Sequence, residues 1–371
     1  MTASTSSSHA PKAASDTAST KGGSDAPFND KEMIRAAAKL ARDLNAARPA
    51  IYWSDFLASA LIGYAALFTA IFASALNLGL AVGLGAALLA ILALYRAGSF
   101  IHELTHLKRR DVPGFHLAWN LIVGIPLMVP SFMYEGVHNQ HHMPRRYGTV
   151  RDPEYLPLAL MKPYTVPLFV LVSALGPLGL LIRYGLLAPL SLIIPPLRRV
   201  VVERYSGLVI NPVFRRRAPE GEERRRWIAL ETATSIWTIG LLAAVATGYI
   251  PLLAFLTFLA IASGTIILNQ IRTLVAHLWA NDGGEMTATE QYLDSVNVPP
   301  PPTLPALWAP VGLRYHALHH LLPGVPYHNL GEAHRRLIGN LPDDSSYHKA
   351  NHGGLPGLVR QLVASTFKQG S

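Results

Sequence analysis

The chain has 371 residues, 50% of them hydrophobic and 15% charged, with a net charge of +9 and no cysteine. Soluble globular domains have roughly 25% charged residues, so this low charged fraction favours a membrane protein. The lack of cysteine excludes disulfides, thiolate metal sites, iron–sulfur clusters and thioether-linked haem from the chain.

The amino-terminal region has two predicted parts. Residues 1–27 are rich in serine, threonine, alanine and glycine and lack the apolar core of a signal peptide, which predicts a disordered tail. From Asn29 or Asp30 onward, apolar residues recur at helical spacing and predict an amphipathic helix. This helix lies either on the membrane surface or packed against the cap of the protein.

Two long uncharged stretches predict two transmembrane hairpins. Residues 56–95 and residues 232–271 each contain forty positions without a charge. At ~1.5 Å per helical residue each stretch is ~60 Å long, about two crossings of a ~30 Å hydrocarbon core. We therefore predict hairpins over about 56–100 and 227–276, turning near Asn77 and Gly248, and four spans in total.

Eight of the fifteen histidines form three clusters beside these segments. The clusters are His102 and His106, then His138, His141 and His142, then His316, His319 and His320. Spacings of three and four residues put the rings of each cluster on one face of a helix. Imidazole suits iron, copper, nickel and zinc, and a metal such as zinc takes about four ligands, so eight converging rings indicate two metal ions.

Two other apolar stretches are predicted to begin and end on the same side of the membrane. Residues 112–134 lie between the first two clusters and contain Pro126 and Pro130, so a buried or re-entrant segment keeps both clusters on one side. Residues 163–197 contain six prolines and form either interfacial helices or a third short hairpin. We favour interfacial helices.

The basic residues predict the orientation of the chain. Neither hairpin turn carries lysine or arginine, so the positive-inside rule places both termini, the middle segment and all three clusters in the cytoplasm. We expect a multi-pass protein of the bacterial inner membrane. The stretch from Arg198 to Arg226 is expected to be solvated or held against anionic lipid, with binding of an acidic carrier or electron donor as the alternative. No aromatic-basic module is present, so no nucleic-acid partner is expected.

Three carboxylates are candidates for holding histidine ligands in place, because such groups accept the distal N–H of an imidazole and fix its tautomer. Asp152 and Glu154 follow the second cluster, although a solvated turn before Pro157 explains them equally well. Asp294 precedes the third cluster and is expected to orient one of its ligands.

The motif order H-x3-H, H-x2-H-H, H-x2-H-H, in a chain with paired membrane hairpins, resembles the membrane fatty acid desaturase family over about residues 50–355. The resemblance implies an all-α integral membrane fold whose cytoplasmic helical cap carries the histidine boxes. It implies a desaturase domain over 28–355 and a carboxyl-terminal tail over 356–371. It also implies two iron ions, dioxygen as co-substrate and, since the chain has no redox group of its own, electrons from a separate ferredoxin or cytochrome.

The resemblance adds two site residues. His277 leaves the last membrane helix, as an extra ligand does in desaturases, which makes nine imidazoles for two irons. Glu103 is expected to support a neighbouring ligand. The animal acyl-CoA branch has an asparagine four residues before this last histidine, where this chain has Thr273, so that feature does not carry over.

Three functions are considered. The leading hypothesis is desaturation of an acyl chain in a lipid or acyl thioester, because the ending His-His-Leu-Leu-Pro after His316 fits desaturases. The alternative is a di-iron hydroxylase or ketolase of the same superfamily, since alkane hydroxylases also carry H-E-x-x-H. The remote alternative is a membrane zinc metalloprotease, in which Glu103 of His102-Glu103-Leu104-Thr105-His106 is the general base. That alternative leaves the other two clusters unexplained.

Overall fold

The computed structural model describes residues 30–368, so the predicted disordered tail lies outside the described residues. Within this range the chain is helical, without a β-strand and with only isolated bridges. Its α-helices are α1 Lys31–Leu40, α2 Pro49–Phe72, α3 Leu80–His106, α4 Phe115–Trp119, α5 His138–His141, α6 Thr165–Leu171, α7 Gly176–Ile182, α8 Ala188–Ser191, α9 Pro195–Tyr205, α10 Gly221–Ala246, α11 Leu252–Leu274, α12 Ala288–Asp294, α13 Pro305–Trp308, α14 His316–Leu321, α15 Tyr327–Asn340 and α16 Leu355–Lys368. Short 3-10 turns occupy Arg42–Leu44, Ser131–Met133, Leu158–Leu160, Val172–Leu175 and Ser346–Ala350, and π-helical turns occupy Asn120–Gly124 and Arg183–Leu187.

Both predicted hairpins are present as consecutive long helices joined by a turn, but only α2 and α3 pack closely together, whereas α11 packs mainly against α3, α2 and the Thr165–Ser191 stretch. Helices α2 and α3 turn at Asn77 and Gly79, which both have positive φ, and α10 and α11 turn at Gly248, also with positive φ. The first pair packs closely because Gly63 has no side chain: a Cβ there would lie 2.7 Å from Cδ2 of Leu94. With five described helices long and apolar enough to cross a bilayer, the chain is a multi-pass integral membrane protein.

The fifth such helix was not predicted as a span. The stretch Thr165–Ser191 is helical throughout, through α6, α7 and α8 and the 3-10 and π turns between them, so it is not the short hairpin considered from the sequence. Buried Arg183 in its π turn donates to the carbonyl of Tyr205 at 2.8 Å and to Glu231, which ties the stretch to α9 and α10.

The positions of the histidines constrain this fifth helix. His142 precedes it and His277 follows it, yet both lie in one site described below. We therefore expect an even number of membrane crossings between them, and we assign two of these crossings to α10 and α11. We predict that Thr165–Ser191 begins and ends on the same side and that four helices cross.

The stretch between the first two clusters folds back on itself, in agreement with the predicted re-entrant segment. Its apolar helical part, Phe115–Gly124, has ten residues and spans ~15 Å, about half of the hydrocarbon core. The buried Asn120 side chain closes the bend: its amide donates to the carbonyl of His116 at 2.7 Å, and its carbonyl accepts from the backbone N–H of Ser131 at 2.8 Å.

The ends of the described chain pack onto the cap that carries the histidines. Met33 and Ala37 of α1 are buried against Ala333 and Leu337 of α15. The amphipathic helix therefore packs its apolar face on the cap, which is one of the two positions considered from the sequence. Helix α16, in the stretch predicted as a tail, buries Leu362 against the Leu158–Leu160 turn.

One arginine of the basic stretch is part of the core and is neither solvated nor lipid-bound. The Arg216 side chain is 6% exposed and donates to the carbonyls of Phe132 at 2.6 Å and Glu135 at 2.8 Å. Its guanidinium lies 4.3 Å from the Trp227 ring centroid. Arg216 therefore holds the segment that leads into the second histidine cluster.

The four-crossing arrangement predicts which positions can be labelled from outside the cell. Because the chain has no native cysteine, each introduced cysteine is a unique thiol. In intact cells a membrane-impermeant maleimide should label Asn77→Cys and Tyr249→Cys, and should label Ile193→Cys and Arg217→Cys only after permeabilisation. Labelling of Ile193→Cys in intact cells would show that Thr165–Ser191 crosses, and the wild-type chain provides the unlabelled control.

Candidate metal centre

Nine imidazoles from four parts of the chain converge into two adjacent groups. The ligand atoms within each group all lie within 4.8 Å of one another. The first group is His102, His106, His138, His142 and His319, and the second group is His141, His277, His316 and His320. All nine histidines singled out from the sequence are thus in one group or the other.

Helix geometry explains why neighbouring histidines belong to different groups. Adjacent residues on an α-helix point about 100° apart, whereas residues four apart share a face. His138 and His142 therefore reach the first group, and His141, between them in sequence, reaches the second. In the same way His316 and His320 of α14 share the second group while His319 joins the first.

His277, unlike the other eight histidines, lies in an extended segment and is held there by backbone hydrogen bonds. It follows the end of α11, in an extended segment that forms an antiparallel bridge with Ser295. Backbone hydrogen bonds on both sides hold this bridge: Leu278 donates to the carbonyl of Asp294 at 2.6 Å and Val296 donates to that of Ala276 at 3.0 Å.

The Nε2 atoms of the rings approach one another closely. In the first group the Nε2 of His142 lies 2.9 Å from that of His138 and 3.2 Å from that of His319. In the second group the Nε2 of His277 lies 3.2 Å from that of His141 and 3.1 Å from that of His316. Ligand nitrogens ~2.0–2.1 Å from one metal ion are themselves roughly 3 Å apart, so these separations fit a metal between the rings.

In the first group, hydrogen bonds hold the His138 ring at Nδ1, the nitrogen that faces away from the centre of the group. Nδ1 of His138 lies 3.0 Å from a carboxylate oxygen of Glu154 and 2.9 Å from the hydroxyl of Tyr134. Tyr134 in turn donates to the other oxygen of Glu154 at 2.9 Å. A proton on Nδ1 leaves the Nε2 lone pair free for a metal.

The second group has two such outer contacts. Nδ1 of His141 lies 2.9 Å from a carboxylate oxygen of Asp152, which is fully buried and also accepts from the backbone N–H of Gly148 at 2.8 Å. Nδ1 of His277 lies 2.8 Å from the hydroxyl of Tyr147, and Tyr147 donates to Asp294 at 2.8 Å. Both rings thus direct Nε2 toward the centre of the group.

Two of the four predicted carboxylates, Glu103 and Asp294, do not make the expected contact with a histidine ligand. Glu103 is 3.9 Å from Nδ1 of His102, and accepts from the Tyr52 hydroxyl at 2.5 Å and from the backbone N–H of Tyr327 at 3.2 Å. Asp294 contacts no ring of the third cluster and acts on His277 through Tyr147. Asp152 and Glu154 contact ring nitrogens directly.

The tyrosine partners were missed in the sequence. Tyr134 stands four residues before His138, a spacing that places both on one helical face, and this signal was available. Tyr147 is 130 residues from His277 in sequence, so only the folded chain brings the two together.

Burial sets the protonation of the site. It lowers the pKa of His138, His142, His277, His316, His319 and His320 well below the ordinary value, aided by neighbouring imidazoles. For His141 burial is the largest single effect and acts in the same direction, but the carboxylates of Asp152, Glu154 and Asp294 together outweigh it and raise the pKa. Burial also raises the pKa of Glu154 to about 7. Most of these rings are therefore neutral, the form that binds metal.

Unpaired ring atoms support a metal site further. Nε2 of His102 and Nε2 of His106 are buried and have no hydrogen-bond partner among the described residues. Buried polar atoms without partners are costly, and a metal ion at the centre of the first group would accept both lone pairs. The donor set consists only of nitrogen ligands, which suits iron, copper, nickel or zinc.

The fold and the two histidine groups define a histidine-box membrane protein, and comparison with known proteins identifies its family. The chain belongs to the Fatty acid desaturase family, which matches residues 78–351 and is a family of lipid-acting di-iron enzymes. It is also 50% identical over 327 residues to the ceramide hydroxylase of Caulobacter vibrioides (strain NA1000 / CB15N), across 88% of this chain and 92% of that protein. No solved structure matches the chain.

Replacing Asp152 should weaken metal binding without changing any ligand. In Asp152→Asn, the amide keeps the shape of the side chain but loses the charge that holds Nδ1 of His141. Loss of such a partner typically lowers metal affinity about 10- to 100-fold. Chelator competition followed by metal analysis should show this loss for Asp152→Asn and none for Glu285→Gln, whose side chain is 60% exposed. Equal retention of metal by both variants would contradict the assigned contact.

Proposed function

We propose that this chain is a membrane hydroxylase that inserts one oxygen atom into a C–H bond of a ceramide-class lipid. The observation that carries the proposal is the 50% identity to a ceramide hydroxylase over nearly the whole of both chains. Two converged histidine groups within the family match give the proposal a chemical site.

The comparison changes the order of the functions considered from the sequence. It favours the hydroxylase alternative over the desaturase hypothesis, while keeping the superfamily and its chemistry. It lends no support to a zinc metalloprotease, and both His102 and His106 belong to a five-histidine group that a single protease zinc does not need.

The proposed reaction consumes a C–H bond, dioxygen, two electrons and two protons, and yields a C–OH group and water. Two iron ions bound by the nine imidazoles would supply the activation of dioxygen. Hydroxylation and desaturation both begin at one C–H bond. They differ in whether oxygen is transferred to that carbon or a second hydrogen leaves its neighbour, so the placement of the substrate decides the product.

The residues of this chain supply rigidity and exclude water. Asp152, Glu154 and Tyr147 fix the rings of His141, His138 and His277. All three rings are at most 5% exposed. The His138 and His277 rings are neutral, and His141, whose pKa is raised, releases its proton when a metal binds. The apolar surroundings limit access of water to the reaction.

An external protein must deliver the electrons, because the chain has no cysteine ligand for a redox cluster. A cleft of about 430 Å³ opens beside the end of α3, and Lys108, Arg109 and Arg226 are among the residues that line it. Glu135 and Glu223 line it as well, which leaves one more basic than acidic residue, and we propose this slightly positive surface as the docking site of an acidic donor such as a ferredoxin. This cleft lies next to the residues that follow His106.

Lipid analysis of a host that makes ceramides and expresses this chain tests the proposal. We expect ceramides heavier by one oxygen atom, and no such product with His277→Ala, because this variant removes one of four rings of the second group. His348→Ala, outside both groups, should retain the product. Ceramides lighter by two hydrogens would instead support desaturation, and unchanged lipids with iron-loaded protein and a working electron donor would contradict both.

A further inference from the structure

A buried arginine lies at the membrane end of the candidate metal centre. Arg272 is in the last turn of α11, five residues before His277, and is 8% exposed. After burial and neighbouring histidines, its charge contributes to the lowered pKa of His277 and His316. Its place at the end of α11, only five residues before His277, puts the guanidinium beside the second group.

This guanidinium has no anionic partner. No carboxylate oxygen of the described residues forms an ion pair with it, and its buried Nε has no hydrogen-bond partner. The neutral Tyr95 hydroxyl interacts with it but donates its proton to the carbonyl of Trp308 at 3.0 Å, so it does not balance the charge. Arg183 and Arg216, by contrast, each make several hydrogen bonds.

An unpaired buried cation is costly, and here the cost is increased by its surroundings. Burying a charge without a partner is strongly unfavourable, and a cation beside a site for two metal cations is repelled as well. The Glu154 carboxylate attracts this charge, but it forms no ion pair with Arg272 because its oxygens are bound to Tyr134 and His138. A missing acceptor, supplied by something that binds in this place, accounts for the arginine.

We propose that Arg272 donates hydrogen bonds to an oxygen of the polar end of the lipid substrate and holds that end beside the metal centre. The inference rests on the proposed function for the identity of the lipid. A ceramide offers an amide carbonyl and hydroxyl oxygens, and a fatty acid offers a carboxylate. Both present the same acceptor chemistry to a guanidinium.

The proposal predicts which carbon of the lipid is oxidised. A saturated hydrocarbon segment gives Arg272 nothing to bind, so the oxidised carbon should lie within a few bonds of the polar group and not in the middle of a chain. Arg272 is then the residue that determines specificity: it selects lipids with a polar acceptor and sets the position of the hydroxyl group.

Binding without turnover tests the proposal. Iron-loaded protein in detergent, without an electron donor, is titrated with N-hexanoyl-sphinganine, hexadecanoic acid or hexadecane, and the thermal unfolding midpoint is followed. The variants are Arg272→Met, Arg272→Lys and the control Arg199→Met, whose side chain is 79% exposed and pairs with Glu203. Iron content is measured for each.

We expect Arg272→Met to retain its iron and to be at least as stable as wild type without ligand, because it removes an unpaired charge. It should bind the ceramide about 10- to 100-fold more weakly, the usual worth of a hydrogen bond to a charged group. Arg272→Lys should be intermediate, Arg199→Met should match wild type, and hexadecane should not distinguish the variants. In turnover, Arg272→Met should give several hydroxylation positions where wild type gives one.

The outcomes separate this inference from the proposed function. Arginine-dependent binding of hexadecanoic acid alone would support the role of Arg272 and contradict the ceramide substrate. Equal binding of the ceramide by wild type and Arg272→Met would overturn the role of Arg272, whether or not ceramide is hydroxylated. A variant that loses stability and binds all three probes equally poorly would show a structural arginine and would also overturn it.

Discussion

The structure depends on the convergence of nine imidazoles, six buried and three half-buried, on two points. Neutral rings gain little from facing one another, and Nε2 atoms about 3 Å apart are sustained only if each pair shares a proton or a metal ion. Carboxylates and tyrosines on the outer sides of His138, His141 and His277 place the protons on Nδ1 and leave Nε2 for metal. The same buried carboxylates supply negative charge that offsets two metal cations.

The membrane fold follows from this requirement. The histidine ligands come from four parts of the chain: α3, α5, α14 and the segment after α11. Since all of them meet in one place, we expect each crossing of the membrane between them to be followed by a return crossing. The two hairpins satisfy this directly, and the Asn120 bend satisfies it by turning the Phe115–Gly124 stretch back. The even number of crossings between His142 and His277 is the reason that Thr165–Ser191 is expected to stay on one side despite its length.

Local patterns in the sequence predicted much of the site. Helical spacing within each cluster and long uncharged stretches are properties of neighbouring residues. The eight box histidines and the hairpins could therefore be predicted from the sequence. Other features depend on contacts between distant residues. His277 was predicted by resemblance alone, the link from Asp294 through Tyr147 spans 147 residues, and burial of Arg216 requires carbonyls from another segment. The choice between desaturation and hydroxylation depends on substrate placement, which the histidine motifs do not encode.

Metal analysis combined with X-ray absorption spectroscopy at the iron edge tests the central claim most directly. The account predicts two irons per chain in the purified, iron-loaded protein, each surrounded by nitrogen ligands and each with the other iron as a near neighbour. His277→Ala should lose metal from the second group, while His348→Ala keeps both ions. A single zinc per chain, or two irons bound chiefly by oxygen ligands and unchanged in His277→Ala, would contradict it.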